Sequence, residues 1–216
     1  REKPVDEIQG NGANGRLIVN MFMTIDGVMQ GPGSPDEDDE GGFAHGGWQA
    51  PFAEAESGRV ILDELLQMDA LLVGRKTYDI FAAYWPNAPA DNPIGTHFNR
   101  IPKYVASHSA MHTDWSGTTV IRDVPRDVAD LKRTHREIRL IGSGDLLQTL
   151  LAHDLVDGLS LWIFPVTLGS GKRVFRNGAI PAAFELAAPP LGFASGSVLL
   201  SYRRAGDPGY GDMSEA

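Results

Sequence analysis

Cysteine is absent from this 216-residue sequence, which excludes a disulfide framework, thiolate catalysis and any metal site with cysteine ligands. Long apolar runs are missing too, because the longest, residues 158–168, is far shorter than a membrane span. No basic segment followed by an apolar one marks a signal peptide. We therefore expect no membrane partner and a cytoplasmic location, which a cysteine-free chain also fits.

A surplus of basic residues is likewise missing, because 19 lysine and arginine residues face 28 aspartate and glutamate residues. The formal net charge of −9 argues against nucleic acid as a partner, since phosphate contacts need a basic surface. A local basic pocket for a phosphorylated cofactor is compatible with this overall balance.

The length of the chain and its hydrophobic fraction of 42% suit one α/β domain with a sizeable core. Residues 1–15 are polar, rich in glycine and asparagine and without periodicity, so we interpret them as a flexible leader. Residues 205–216 have a similar character and are interpreted as a flexible tail. The sequence thus predicts a single domain over residues 16–204.

Short apolar runs alternate with helical patterns along this domain. Buried strands are predicted at residues 17–23, 70–73, 104–106 and 137–141. Helices are predicted at residues 52–67, 128–135 and 146–155, and from about Lys76 or Thr77 onward. This alternation favours right-handed βαβ units and a largely parallel sheet that is covered on both faces.

After residue 156 the pattern changes to strands with no helix between them. These strands are predicted at residues 159–164, 183–189 and 197–203, and Ser195-Gly196 offers a hairpin turn. The predicted fold class is therefore α/β, with three αβα layers around a mostly parallel sheet that finishes in a C-terminal antiparallel hairpin.

Residues 71–78 (LLVGRKTY) are the first segment with a chemical signal. A buried strand stops at Gly74 and a helix follows at once. Backbone N–H groups at a helix start bind anions, and Arg75 and Lys76 add two positive charges at that place. The segment is either a phosphate clamp or an ordinary strand-to-helix turn with solvated basic residues.

Residues 138–146 (IRLIGSGDL) repeat the order of strand, small-residue turn and helix. Asp145 stands in good position to accept hydrogen bonds from the helix start. The segment is not a Rossmann fingerprint, because Leu147 takes the place of the third glycine. A diphosphate contact and a tight turn that needs glycine for its backbone are both consistent with the pattern.

Residues 26–51 form a long connection that is first acidic, then glycine-rich, then aromatic. A connection of about twenty-five residues in a compact domain is typical of a functional lid or a disordered insert. Phe43 and Trp48 would give a lid apolar groups with which to close. Glu54 follows just inside the predicted helix, either as a proton donor or relay, or as a favourable first-turn acid for the helix dipole.

Signatures of a metal site are weak. Residues 36–47 begin like a calcium-binding EF-hand loop, but Gly47 stands where that loop needs glutamate. Residues 169–172 (GSGK) lack the upstream glycine and the hydroxyl residue of a P-loop. His108 and His112 have the spacing of helical ligands but lie in a predicted loop, so we predict no metal.

Taken in order, these segments resemble dihydrofolate reductases and the stand-alone relatives of the riboflavin-biosynthesis reductase (RibD C-terminal) domain, over residues 16–204. Residues 24–27 (TIDG) resemble the opening turn of that family, and residues 48–51 (WQAP) resemble its W-x-x-P. Residues 74–77 (GRKT) resemble its G-R-x-T, and residues 141–144 (IGSG) resemble its I-G-G-G turn. The runs GGFAHGGWQAPF and PVTLGSGKRVF resemble the stand-alone relatives more closely than folate reductases.

The resemblance implies NADPH as the cofactor, with Arg75 and the pair Ser107-His108 at its 2′-phosphate. The cofactor-binding residues that it implies are Thr24, Gly74, Arg75, Lys76, Thr77, Ser107, His108, Ile141, Gly142, Ser143, Gly144, Asp145 and Leu146. The substrate-binding residues that it implies are Phe22, Trp48, Phe52 and Trp162. It makes Glu54 the catalytic acid that directs or donates the proton.

Three departures set this sequence apart from the known enzymes of that family. Ile101 and Pro102 stand where folate reductases carry the arginine for the folate tail, and Trp162 replaces a small hydroxyl residue. The A-D-D-P signature of riboflavin-type reductases is absent. We therefore expect an NADPH-dependent reductase of a small conjugated heterocycle, such as a pterin or pyrimidine, and an inefficient dihydrofolate reductase. The alternatives are a nucleotide-binding protein without efficient turnover and a riboflavin-pathway pyrimidine reductase; a homodimer is expected.

Overall fold

A computed structural model describes residues 14–175 and 177–215 of the chain, with helices on both faces of one sheet. Most of the predicted leader, residues 1–13, lies outside the described residues. Gly15 already belongs to the domain, because its amide donates to the Lys132 carbonyl at 2.6 Å. Near the other end, Ala205 and Gly206 pair with Ala183, so backbone pairing continues past the last strand.

Nine strands and five α-helices make up the described domain. The strands are β1 (Arg16–Thr24), β2 (Ala70–Gly74), β3 (Lys103–Ala106), β4 (Thr118–Ile121), β5 (Glu137–Ile141), β6 (Gly158–Phe164), β7 (Phe184–Leu186), β8 (Leu191–Gly192) and β9 (Val198–Arg204). The helices are α1 (Ala55–Gln67), α2 (Arg75–Tyr84), α3 (Pro93–Arg100), α4 (Val124–Thr134) and α5 (Gly144–Ala152).

The strands form one sheet in the order β4-β3-β2-β5-β1-β6-β9-β7, and β8 also pairs with β9. All pairs from β4 to β6 are parallel, whereas β9 is antiparallel to β6, β7 and β8. The predicted hairpin turn lies between β8 and β9, where the Gly196 amide donates to the Phe193 carbonyl at 2.9 Å. A mostly parallel sheet with an antiparallel end is confirmed.

Two apolar clusters cover the two faces of the parallel sheet. On one face, α4 and α5 contribute Val128 and Leu147, which pack with Leu72 of β2. On the other face, the residues from α1, α2 and α3 pack with Leu71 of β2. Neighbouring residues of one strand serve opposite clusters because successive side chains point to opposite faces. The three predicted layers are present.

Besides the two-residue strand β8, two elements were not predicted from the sequence, namely α3 and β4. Helix α3 has only eight residues and includes Gly95, and it begins where the Asn92 side chain accepts from the Gly95 amide at 3.0 Å. Strand β4 is the end of the sheet and buries only Ile121, so it lacks an apolar run. Neither element carries the periodicity that predicts longer ones.

Several helix starts differ from the predicted ones. Helix α4 begins at Val124, four residues early, because Asp123 accepts from the Arg126 amide at 3.3 Å and Pro125 suits a first turn. Helix α5 begins at Gly144, so Asp145 lies inside its first turn and is not the residue that precedes the helix. Helix α1 begins at Ala55, after a short 3-10 turn over Ala50–Phe52.

Candidate functional site

A cleft of about 1210 Å³ opens where the parallel strands end. Strands β2 and β5 are neighbours in the sheet, yet α2 packs on one face and α5 on the other. The two connections therefore diverge, and in open α/β sheets ligands bind in the crevice between such connections. The turns at residues 74–77 and 141–146 both line this cleft.

The Ser143 side chain ties these two turns together. Its Oγ accepts a hydrogen bond from the Gly74 amide at 2.7 Å and donates to Thr77 Oγ1 at 2.8 Å. The turns are in close contact, because a Cβ added to Gly74 would lie 3.2 Å from Ser143 Oγ. At Gly142, which has a φ of +63°, a Cβ would lie 3.3 Å from Thr77 Oγ1. Small residues are therefore required here by contact and by backbone conformation.

Two helix starts meet at this contact. Helix α2 begins at Arg75 and α5 begins at Gly144, and neither Gly74 nor Ser143, the residues just before them, provides a side-chain cap. The first N–H groups of a helix have no partner within it and carry partial positive charge. Two such starts on one cleft offer backbone donors to an anion such as a diphosphate.

Twelve of the thirteen predicted cofactor residues line the cleft. The exception is Thr24, which is fully buried at the end of β1. Its hydroxyl donates to Asp26 at 2.5 Å and accepts from the Val28 amide at 3.0 Å, so it shapes the turn after β1. Ser107 and His108 come just after β3 and line the same cleft as Arg75, with which they were predicted to share the 2′-phosphate.

The two predicted basic residues of the cleft, Arg75 and Lys76, are engaged by carboxylates. Arg75, an exposed residue, pairs with Asp79 one helical turn on, with Nε 2.9 Å from a carboxylate oxygen. Lys76 Nζ lies 2.6 Å from Glu40 and 3.1 Å from Asp38. The hydrogen bond to Glu40 raises the pKa of Lys76 above its ordinary value. Lys76 therefore holds its charge at neutral pH.

Three basic residues of the cleft were not predicted as site residues. Arg122 follows β4 and donates to the His108 carbonyl at 3.2 Å, so it stands beside the predicted 2′-phosphate contact. Lys172 and Arg173 come from the GSGKR run, which fails as a P-loop and which resembles the stand-alone relatives without predicting a role for either residue. Recognising β4 in TTVI would have pointed to Arg122, since cleft residues follow strand ends.

Arg173 is held by the turn after β1. Its guanidinium donates to the backbone carbonyl of Asp26, and it lies 3.4 Å from the carboxylate of the same residue. The hydrogen bond from Thr24 lowers the pKa of Asp26 to about 2, with further help from the Gly169 and Leu168 amides. This ionised carboxylate therefore fixes the loop that carries Lys172 and Arg173.

The four predicted substrate-binding aromatics belong to one cluster behind the cleft. Phe22 lines the cleft itself, whereas Trp48 and Trp162 are buried. Phe22 stacks on Trp162, with ring centroids 6.3 Å apart, and Phe164 lies between Trp48 and Phe52, with centroid distances of 5.6 and 5.9 Å. Phe52 lines a second, smaller cavity.

Trp162 is held by a partly buried carboxylate, Glu64, which the sequence did not predict as a site residue. Its indole N–H donates to Glu64 at 2.9 Å, and Ser160 donates to the other oxygen of that carboxylate at 2.7 Å. Arg139 lies 3.5 Å from Glu64 and bonds Glu137 at 2.6 Å, which compensates the buried charges. The indole is therefore oriented toward α1, and the cleft does not expose it.

Glu54 lies one residue before α1 in an extended conformation, and not just inside the helix as predicted. Its Oε2 accepts from the Ser195 amide at 3.1 Å, which joins the start of α1 to the hairpin turn. Its Oε1 is buried and has no hydrogen-bond partner among the described residues. Buried carboxylate oxygens normally accept hydrogen bonds, so this atom is poised for a ligand or water.

Glu54 lines a cavity of about 270 Å³ that adjoins the cleft. The two spaces share Pro32, Gly33 and Gln49 in their walls. Phe52 and Phe164 supply apolar surface to the smaller cavity, and Glu54 is the one charged residue of its described lining. The arrangement combines a large cleft that carries several charged residues with a small, mainly apolar pocket that carries one carboxylate.

Neither a metal cluster nor a membrane-spanning helix occurs in the part of the chain that the structure describes. Over residues 14–175 and 177–215, no group of three or more histidine, aspartate or glutamate side chains is placed to hold a metal ion. Within the same ranges, no helix is long and apolar enough to cross a membrane.

Comparison with known proteins identifies similar chains. A family model described as the RibD C-terminal domain matches residues 16–189. The YyaP protein of Bacillus subtilis (strain 168), which is described as uncharacterised, is 27% identical over 164 residues, which are 74% of this chain and 80% of that protein.

Two solved structures share the architecture. A pyrimidine reductase-like protein of Corynebacterium diphtheriae is 12% identical, with 89% of this chain and 93% of that chain covered, at a TM-score of 0.62. The dihydrofolate reductase of Enterococcus faecalis, solved with NADP(H), is 14% identical, with 88% and 97% covered, at a TM-score of 0.55. At such identities these structures establish a shared fold and nothing more.

Proposed function

Since this chain belongs to the RibD C-terminal domain family, we propose that it is an enzyme that reduces a small heterocyclic substrate with NADPH. The observation that carries the proposal is the contact between Gly74 and Ser143, which brings two helix starts to one cleft. Donors arranged in this way suit the diphosphate of a dinucleotide.

NADPH fits the residues that line the cleft. Amides at residues 75–77 and 142–146 would hold its diphosphate, because they are the first amides of α2 and α5 or immediately precede them. Arg75, with Ser107 and His108, would bind the adenosine 2′-phosphate and so favour NADP over NAD. When bound, the cofactor supplies a hydride; the protein supplies orientation and electrostatics.

We assign the substrate to the small cavity beside the cleft. Its volume of about 270 Å³ is below the usual size of drug-binding pockets, so it suits one small ring system. Phe52 and Phe164 would contact the faces of such a ring, and Phe22 would meet it from the cleft. Trp48 and Trp162 would not contact the substrate; they pack against Phe164 and Phe22, respectively, and so fix the positions of these rings.

Glu54 is the proposed proton donor or relay. Its unpartnered Oε1 lies in the wall of the substrate cavity, while the Ser195 amide fixes the other oxygen. A carboxyl group that is held by one oxygen can exchange a proton with a ligand through the other. The carboxylate would also favour a substrate that presents an N–H donor, because such a donor satisfies the buried oxygen.

The test is a panel of pterins, pyrimidines and quinones, with NADPH oxidation as the readout and NADPH affinity measured separately by calorimetry. Turnover of a pterin or pyrimidine supports the proposal. Tight NADPH binding without turnover of any compound would make the chain a nucleotide-binding protein. Efficient turnover of the riboflavin-pathway pyrimidine alone would place it in that pathway. A cytoplasmic setting and a homodimer stay predictions, the second of which light scattering in solution would test.

A further inference from the structure

An acidic loop, defined here as residues 31–47, lies over the proposed cofactor cleft. Its two ends meet, because the Gly47 amide donates to the Gly31 carbonyl at 2.8 Å. Asp38 and Glu40, near its middle, line the cleft. The loop therefore brings two carboxylates into a space that we assign to a phosphorylated ligand.

These carboxylates form ion pairs with the two lysines of the cleft, and we call the four residues Asp38, Glu40, Lys76 and Lys172 the charge group. Asp38 lies 3.1 Å from Lys76 and 2.6 Å from Lys172. Glu40 lies 2.6 Å from both lysines. The pKa of Asp38 is below its ordinary value, because hydrogen bonds from the two lysines outweigh the effect of its burial, and that of Glu40 is lowered by the same lysines.

The two carboxylates of this group cancel the net formal charge of the described lining of the cleft. Five basic residues line it, namely Arg75, Lys76, Arg122, Lys172 and Arg173. Five acidic residues line it as well, namely Glu37, Asp38, Glu40, Asp123 and Asp145. With Asp38 and Glu40 in place the described lining is balanced, and without them it has a surplus of two positive charges.

Phosphate and carboxylate oxygens compete for the same ammonium donors. We propose that Asp38 and Glu40 act as a built-in competitor that holds Lys76 and Lys172, so that the anionic cofactor binds only when the acidic loop releases these lysines. The inference rests on the proposed function, because it takes the phosphorylated nucleotide as the ligand of the cleft.

The acidic loop contains two glycines at which its carboxylates could move away from the lysines while its buried aromatic residue stays packed. Gly41 and Gly42 follow the carboxylates, have φ values of +71° and +76°, and would have no atom within 4 Å of an added Cβ. Phe43, the next residue, is buried in the aromatic cluster and anchors the loop. A hinge at the two glycines lets the acidic segment move while the anchor stays, and the movement breaks the hydrogen bonds from the Gln30 side-chain amide to the Asp38 and Glu40 carbonyls, at 3.2 and 3.0 Å.

The first experiment compares two double variants of equal charge. The test variant, Asp38→Asn with Glu40→Gln, removes the two carboxylates that hold the lysines. The control variant, Asp36→Asn with Asp39→Asn, removes two exposed charges of the same loop that lie outside the charge group. Calorimetry with NADPH and with inorganic pyrophosphate gives the affinities. We expect the test variant to bind both ligands about tenfold more tightly than wild type, and the control to change by about twofold or less, since remote exposed charges act weakly.

Equal affinities for the wild type and the test variant, or weaker binding by that variant, would overturn the proposal. The second measurement is hydrogen exchange of the loop amides. NADPH should speed exchange over residues 36–42 of the wild type, while protection of those residues would mean that the loop closes on the ligand.

The outcome for NADPH separates this inference from the proposed function. If the wild type binds no NADPH, the proposed function is wrong. If the Asp38→Asn, Glu40→Gln variant nevertheless gains affinity for pyrophosphate, the competition of these carboxylates with anions still stands. Absence of binding by both proteins to both ligands would remove both proposals.

Discussion

The Gly74 amide donates a hydrogen bond to Ser143 Oγ at 2.7 Å across 69 residues of sequence. The starts of α2 and α5 are thereby held in one position, although the two helices pack on opposite faces of the sheet. Ser143 adopts the left-handed conformation, with a φ of +65°, which a serine rarely does unless its surroundings require it. The two turns therefore act as one unit.

Ser143→Ala should destabilise the protein by about 1–2 kcal/mol, because the Gly74 amide and the Thr77 hydroxyl both lose a partner. Urea unfolding measures this loss. We also expect weaker NADPH binding, since the two helix starts lose their mutual position. Ser109→Ala, which removes an exposed hydroxyl, is the control and should leave both quantities unchanged.

Arg75→Ala should weaken NADPH binding by about 1.5–3 kcal/mol, the usual contribution of a hydrogen bond to a charged group, and barely affect NADH. The guanidinium is exposed and exchanges the Asp79 carboxylate for a phosphate at little cost. Arg133→Ala removes a comparable exposed pair on α4, with Asp130, and is the control. Equal losses for the two cofactors would contradict the assignment of Arg75 to the 2′-phosphate.

Glu54→Gln should lower turnover by roughly 10²–10⁴-fold, as for loss of a general acid, with NADPH affinity nearly unchanged. The amide keeps the shape of the side chain and can still accept from the Ser195 amide. Glu56→Gln, at an exposed position in the first turn of α1, tests whether any acid near the helix start has the same effect. Full activity of the Glu54 variant would return this residue to a structural role.

Dihydrofolate should be a poor substrate, with kcat/KM well below the 10⁶ M⁻¹s⁻¹ or so of good enzymes. The position that would carry the tail arginine is Ile101, and it is buried in the second apolar cluster. Ile101→Arg should therefore fold poorly, because it places an unpaired charge in that cluster. Steady-state kinetics on dihydrofolate and the thermal midpoint of the variant check the two statements.

The free energy of unfolding should rise as the pH increases from about 8 toward 10.5, owing to Lys103. This side chain is fully buried, and burial lowers its pKa from 10.5 to about 8. Below pH 8 both the folded and unfolded chains carry the charge, whereas between the two pKa values only the unfolded chain holds the proton. The folded form is then relieved of a buried charge.

Lys103→Met keeps most of the volume and removes the titrating group, so urea unfolding at several pH values isolates its contribution. The ammonium donates to the Phe98 carbonyl at 3.0 Å and to the Asn99 carbonyl at 3.3 Å, in the last turn of α3. The variant should lack the rise that the wild type shows. Parallel curves for the two proteins would mean that the lysine keeps its ordinary pKa.

The sequence by itself predicted the fold class and the two strand-to-helix turns that line the cleft. Buried strands and helices differ in the period of their apolar residues, and this local property needs no knowledge of the partner elements. Glycine at position 142 is likewise a local requirement, because its φ of +63° disfavours a side chain. Short elements whose apolar residues show no clear period, such as α3 and β4, could not be predicted in this way.

The tertiary structure alone decided which charges and polar groups meet. Lys172 bonds Asp38 from 134 positions away, and Ser195 bonds Glu54 from 141 positions away. Trp162 lies over the carboxylate of Glu64 and not in the cleft, because the packing of α1 on β6 determines the direction of its indole. Such contacts depend on how distant elements pack, and periodicity reports only on neighbours within one element. The sequence therefore predicted which turns form the cleft, and the packing of distant elements determined which side chains face it and which partners they bond.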